Sequence, residues 1–223
     1  MTRYAVYALP GALGAADAPA GTALRAAGEG WYSRAEFADL TTDPRRYGFH
    51  GTLKAPFRLA PGRTEDELRA AADAFAAGRS EAVIRAPRVA ALGGFRALIA
   101  TGDEGDLAAL AADAVRGFEP FRAPLSDADI ARRDPARLTS RQRELFAQYG
   151  YPYVLDEFRF HLTLTDPVPD DRAGEVDRAL SAHFADLVGV DVPLRAVALF
   201  VEAAPGAPFE ILSVHPFSEE TSA

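Results

Sequence analysis

Cysteine is absent from all 223 residues, which removes thiol nucleophiles, disulfides, thiolate-bound metals and iron–sulfur clusters together. Lysine is nearly absent: 23 of the 24 basic residues are arginine, and the remaining one is Lys54. No apolar run approaches the roughly 20 residues needed to span a bilayer. The opening stretch MTRYAVYALPGALGAADAPA could pass for a secretory signal. It holds one arginine, however, and Pro10, Gly11 and Gly14 interrupt its apolar segment, so it reads better as a first strand with Tyr4, Val6 and Ala8 alternating. Excess positive charge is missing too. A net charge of −8 disfavours a long nucleic-acid tract as the main ligand, since duplex binding normally needs a basic face. These absences point to a cytoplasmic protein without membrane contact. The apolar content (48%) and charged content (25%) are those of a folded globular chain, long enough for one substantial core or two small lobes.

What the sequence does contain is one pattern written twice. YGFHGTLKAPF (residues 47–57) and RFHLTLTDPV (residues 159–168) share Phe-His-x-Thr-Leu-x-x-Pro. The flanking elements repeat as well. After the first motif, residues 64–78 form a helix with a Thr64/Glu67 capping box and Gly78 at its end. Strands over 82–89 and 95–101 follow, parted by Gly93-Gly94. After the second motif come a helix over 171–187 and strands over 194–202 and 209–214, with Pro205-Gly206 as the turn. His50 precedes Phe95 by 45 residues and His161 precedes Phe209 by 48. The expected fold is therefore α+β: two duplicated β-α-β-β lobes of antiparallel sheet with a cleft between the sheets. Lobe one spans about 1–104, a connector or lid with helices near 105–116 and 139–148 spans about 105–155, and lobe two spans about 156–223. The lobes are free to exchange strands.

In a strand, side chains alternate between faces. Phe49, Gly51 and Leu53 share one face, opposite His50, Thr52 and Lys54; Phe160, Leu162 and Leu164 share one face, opposite Arg159, His161, Thr163 and Thr165. Burying such a polar stripe unpaired costs about 1–3 kcal/mol per group, so both stripes are expected to line a solvated groove, on opposite walls about a pseudo-two-fold axis. Imidazole takes either protonation state near neutrality. One ring then removes a proton from water while its twin protonates a leaving oxygen. The threonine hydroxyls donate to non-bridging oxygens, and Lys54 and Arg159 supply positive charge. This is an apparatus for cleaving a phosphodiester. No nucleophile elbow, P-loop or dinucleotide fingerprint is present, and four scattered histidines match no usual zinc pattern, so neither cofactor nor metal is expected.

The paired motifs resemble the two-histidine (2H) phosphoesterase superfamily. The flanks YGFHGTLKAPF and YGYPYVLDEFRFHLTLTDPV are similar to a branch associated with bacterial phosphonate-utilisation operons. The resemblance implies a bilobal α+β fold, His50 and His161 as the catalytic pair, and Thr52 and Thr163 as phosphate-binding hydroxyls. Lys54 and Arg159 stand outside that motif. The expected activity is opening of a sugar or nucleoside cyclic phosphate, with a small phosphorylated metabolite or nucleotide as partner. One alternative is an RNA-end enzyme, cyclic phosphodiesterase or 2′-5′ ligase-like, with Arg45-Arg46, Arg132-Arg133, Arg141 and Arg143 as its basic track. Another is a phosphate-binding protein without turnover. Tyr47, Tyr151 and Tyr153 read first as aromatic anchors, with a base-binding wall as the alternative. His183 reads as structural and His215 as a surface residue.

Overall fold

The computed structural model describes residues 1–218, apart from the Arg132 side chain. Nine strands and seven α-helices are described, with short 3-10 turns between them. The strands are β1 (Arg3–Ala8), β2 (Gly51–Phe57), β3 (Ala82–Ile84), β4 (Arg88–Leu92), β5 (Phe95–Ile99), β6 (Leu162–Thr163), β7 (Val192–Leu194), β8 (Ala196–Glu202) and β9 (Glu210–Pro216). The helices are α1 (Pro19–Tyr32), α2 (Thr42–Tyr47), α3 (Glu65–Ala77), α4 (Gly105–Gly117), α5 (Asp127–Arg133), α6 (Ser140–Tyr149) and α7 (Ala173–His183). The fold is α+β with a large antiparallel sheet and a second, two-stranded sheet.

The duplication holds in element order, with one refinement. Each motif strand is followed by a helix and then by three strands, because the expected strand over 82–89 breaks in two and a short extra strand, β7, precedes the one expected over 194–202. In the first unit the break falls at Ala86, whose φ is 39°. In the second, Arg195 separates β7 from β8. The two short strands, β3 and β7, pair antiparallel as the small sheet. The motif strands β2 and β6 also pair antiparallel. Equivalent strands running antiparallel to each other are what a two-fold relation requires.

The large sheet runs β4-β5-β6-β2-β1-β8-β9. The two motifs therefore lie on neighbouring strands of one hydrogen-bonded array, where the sequence suggested opposite walls of a groove. The seam between them is one bridged pair, Gly51 with Leu162. Gly51 is required there: a Cβ would sit 2.6 Å from the Phe160 ring. Pro56 and Pro167, at the end of each motif, lack the amide hydrogen that would extend a ladder.

Helices cover the apolar face. Capping boxes start α3 at Thr64 and α6 at Thr139, and Gly150 ends α6 with φ 73°. The Ala/Gly-rich segment after β1, which carried no clear sequence signal, is the 14-residue helix α1. It has proline at its first turn, which suits a helix start, and it buries Leu24, Gly28 and Trp31 on one face. Gly28 lies against the Phe49 ring, 2.4 Å from where a Cβ would stand. Helix α4, expected in the connector, is a core element with Leu107, Leu110, Ala111 and Ala114 buried. The apolar face of both motifs joins it: Phe49, Leu53, Phe160, Leu162 and Leu164 are all at or below 3% exposure.

The fit at the seam predicts that Gly51→Ala lowers stability by about 1–3 kcal/mol through overpacking against Phe160, read as a reduced urea midpoint with an unchanged m-value.

Candidate active site

His50 and His161 occupy equivalent positions, each immediately before its strand. The His50 ring donates from Nδ1 to the Gly48 carbonyl at 2.8 Å, and the His161 ring donates from Nδ1 to the Arg159 carbonyl at 2.8 Å. Each imidazole is thus oriented by the backbone two residues upstream, which leaves Nε2 as the exchangeable nitrogen. Gly48 reaches this geometry at φ 76°, a region that disfavours side chains with a Cβ. Stepping one residue from the Gly51–Leu162 bridge along antiparallel strands sets His50 across from Thr163 and Thr52 across from His161. The histidines therefore stand on one diagonal and the threonines on the other. Diagonal neighbours in an antiparallel pair are about 7–8 Å apart, room for a phosphoryl group between the rings.

A cavity of about 360 Å³ lies over this seam, lined by His50, Thr52, His161 and Thr163 together with Tyr7, Tyr47, Arg133 and Tyr151. The Thr52 hydroxyl is 3.2 Å from His50 Nε2. Tyr7, directly opposite Thr52 on β1, stacks on the His50 ring at 3.6 Å between centroids and 15° between planes. Burial pushes its phenol well above the ordinary value, so it remains a hydrogen-bond donor. Burial also pushes His50 from 6.5 down to about 4, against the pull of the Gly48 carbonyl and with a smaller push from His161. Burial lowers His161 as well, opposed by the Arg159 carbonyl. Both shifts favour the neutral imidazole at pH 7.

The remaining sequence candidates are placed differently. Lys54 leaves the polar stripe because the β1–β2 register slips between Tyr7↔Thr52 and Val6↔Lys54. This β-bulge leaves Leu53 without a partner and re-aims the next side chain. The ammonium is buried, donating to the Val115 carbonyl at 3.1 Å and to Glu119 at 2.8 Å. Burial lowers its pKa, and Glu119 opposes that shift. Arg159 is exposed and lines an adjoining cavity of about 450 Å³ with His161, Thr52, Phe95, Tyr151 and Tyr153. It pairs with neither Asp156 nor Glu157, which are engaged by Arg141 and Gln142. His183 is structural as expected, donating to the Ala27 carbonyl at 2.8 Å. His215 is not a surface residue. It is 3% exposed, with Asp73 2.6 Å from Nδ1 and Ser213 2.7 Å from Nε2, and it ties β9 to α3.

Tyr7, Arg133, Asp43 and Asp166 are among the lining residues that sequence reasoning did not single out for the cleft. Tyr7 was legible in principle, since it alternates out of phase with the apolar Tyr4, Val6 and Ala8. Arg133 was legible only as part of a basic pair. It comes from α5, and its guanidinium lies 4.8 Å from the Tyr151 ring centre. Among the described residues no group of three or more His, Asp or Glu side chains comes together to hold a metal, and no helix is long and apolar enough to cross a membrane.

These environments predict that the His50 ring protons titrate near pH 4 by NMR and those of His161 below 6.5. Inorganic phosphate should move at least one of them upward, because an anion between the rings favours imidazolium.

Two curated relatives carry the name ribose 1,5-bisphosphate phosphokinase PhnN. The one from Janthinobacterium sp. (strain Marseille) is 38% identical and covers 98% of this chain and 51% of its own length. The one from Laribacter hongkongensis (strain HLHK9) is 33% identical over 94% of this chain and 50% of its own. The chain thus spans about half the length of these relatives. Solved structures similar in coordinates include E. coli LigT with NADP+ and with ATP, each at TM-score 0.44 and 12% identity over 98% of both chains. Residues 52–210 match the family described as protein of unknown function (DUF1045), and the chain belongs to that family.

Proposed function

We propose that the protein is a metal-independent phosphodiesterase that opens a small cyclic phosphate by two-histidine acid/base catalysis. The observation carrying this reading is the pair of imidazoles, each anchored through Nδ1 to a backbone carbonyl, lining one cavity with Thr52 and Thr163. The phosphate enters between the two Nε2 atoms, and its charge returns a proton to one ring. The neutral imidazole takes a proton from water as the water oxygen attacks phosphorus. The imidazolium gives its proton to the ester oxygen as the P–O bond on the far side breaks. One water is consumed, and the product is a phosphate monoester beside a free hydroxyl. The threonine hydroxyls, the Tyr7 phenol and Arg133 supply donors for the non-bridging oxygens.

Two observations bear on the substrate. The curated relatives are named for a kinase of ribose 1,5-bisphosphate, which supports a cyclic phosphate on a ribose, within phosphonate metabolism. The adjoining cavity lined by Phe95, Tyr151 and Tyr153 suits an aromatic base and supports the nucleoside 2′,3′-cyclic phosphate version. The RNA-end reading loses most of its basic track. Arg45 is bonded to the Thr41 and Ala38 carbonyls, Arg46 to Glu202, Arg141 to Asp156 and Arg143 to the Leu138 carbonyl. Arg132 has its side chain outside the described residues.

His50→Ala and His161→Ala are expected to lower kcat/KM by roughly 10²- to 10⁴-fold each, with wild-type turnover unaffected by chelators. Because both rings sit below their ordinary pKa when free, the alkaline fall of kcat/KM should begin below pH 6.5, and one limb of the profile should be lost in each variant. The substrate comparison uses a cyclic mononucleotide, a ribose cyclic phosphate and an oligonucleotide with a cyclic end. Turnover of the oligonucleotide alone overturns the small-substrate reading, and full activity in the double histidine variant overturns the mechanism.

A further inference from the structure

Beside the histidine cavity lies a second one, of about 320 Å³, that shares Tyr47, Ala55, Pro56, Arg133 and Tyr151 with it. Those five residues form a wall common to the two cavities. Five residues lining the second cavity are cationic, namely Arg3, Lys54, Arg58, Arg122 and Arg133, whereas Asp129 is its one acidic lining residue. In a chain of net charge −8 this is a concentrated reversal of sign.

The carboxylates behind the wall hold these cations in place without neutralising them. Glu119 is shared by two, taking Lys54 on Oε2 at 2.8 Å and Arg122 on Oε1 at 2.6 Å. Glu202, fully buried, is likewise shared by Arg3 and Arg46. Arg58 bonds Asp129 through Nη2 at 2.6 Å, with its other guanidinium nitrogens uncommitted. Arg133 has no carboxylate partner among the described residues. Positive charge therefore exceeds negative charge around a space that shares a wall with the histidine cavity. The backbone makes room for it: a Cβ on Gly150 would come within 3.1 Å of the Arg122 guanidinium. The β-bulge has the same consequence, turning Lys54 out of the histidine stripe and into this pocket.

We propose that this pocket is a second anion subsite that takes a phosphate monoester carried by the substrate, so that the preferred substrate is a cyclic phosphodiester bearing a second, terminal phosphate. The inference rests on the phosphodiesterase reading for its substrate, but the subsite is testable without turnover. Several fixed cations with free donors are matched by the dianionic, three-oxygen end of a phosphomonoester far better than by a neutral sugar hydroxyl.

Two measurements decide it. The first is calorimetric binding of ribose 5-phosphate and of ribose. Ribose 5-phosphate should bind and ribose should not, and Arg58→Gln and Arg122→Gln should each weaken ribose 5-phosphate by about tenfold, the loss typical of a charge-assisted hydrogen bond. The His50→Ala/His161→Ala double variant should weaken it less than either. Circular dichroism and urea midpoints confirm that each variant is folded. The second is kcat/KM for an adenosine 2′,3′-cyclic phosphate with and without a 5′-phosphate. The phosphorylated form should be preferred by about tenfold or more, and the ratio should fall towards one in Arg58→Gln. Arginine-dependent binding without turnover of either ester leaves the subsite standing and overturns the catalytic reading. Equal turnover of both esters, or ribose 5-phosphate binding lost with the histidines instead of the arginines, overturns the subsite.

Discussion

Gly51 and Leu162 form the one bridged pair between the two halves of the large sheet, and the geometry of the cleft follows from it. The antiparallel register through that pair sets each histidine opposite the other motif's threonine. A slip of one residue would turn one stripe into the core, since strand side chains alternate with period two. The register is fixed from the apolar side. Phe160 fills the space that a side chain at position 51 would need, and Leu53, Leu162 and Leu164 lie in the core. Packing on one face thus positions chemistry on the other.

The site also joins two electrostatic regimes. The imidazoles are partly desolvated, which favours their neutral form. The neighbouring pocket holds the Lys54 ammonium and the Arg122 guanidinium in place against one shared carboxylate, Glu119. On the proposed function, an anionic ligand would be drawn to the second regime and would restore acid/base capability to the first. Strongly negative overall charge is compatible with this, because what matters to a small ligand is the local field inside a low-dielectric cleft.

Much of this was legible in the residues. The doubled motif announced a duplication, and alternation separated Phe49, Leu53, Phe160 and Leu164 from His50, Thr52, His161 and Thr163. The Thr64/Glu67 capping box fixed the start of α3. Three features were not legible. Helix α1 was hidden by its glycines, which the sequence offers as breakers, whereas the fold uses one of them, Gly28, for close approach to Phe49. His215 looked like a terminal surface residue because Asp73, its partner, is 142 positions away. The placement of Lys54 failed because alternation assumes an unbroken ladder, and a bulge depends on the partner strand.

Local chemistry and periodicity, which are properties of a stretch of chain, were determined by the sequence alone: two equivalent strands, each with a core face and a polar face, each presenting histidine and threonine two residues apart. Which strands become neighbours was a tertiary decision, and with it came the diagonal arrangement of the imidazoles, the stacking of Tyr7 on His50, and the convergence of Arg3, Lys54, Arg58, Arg122 and Arg133 on one pocket. Those contacts join residues up to 130 positions apart, and their cost and gain exist only once the core has closed.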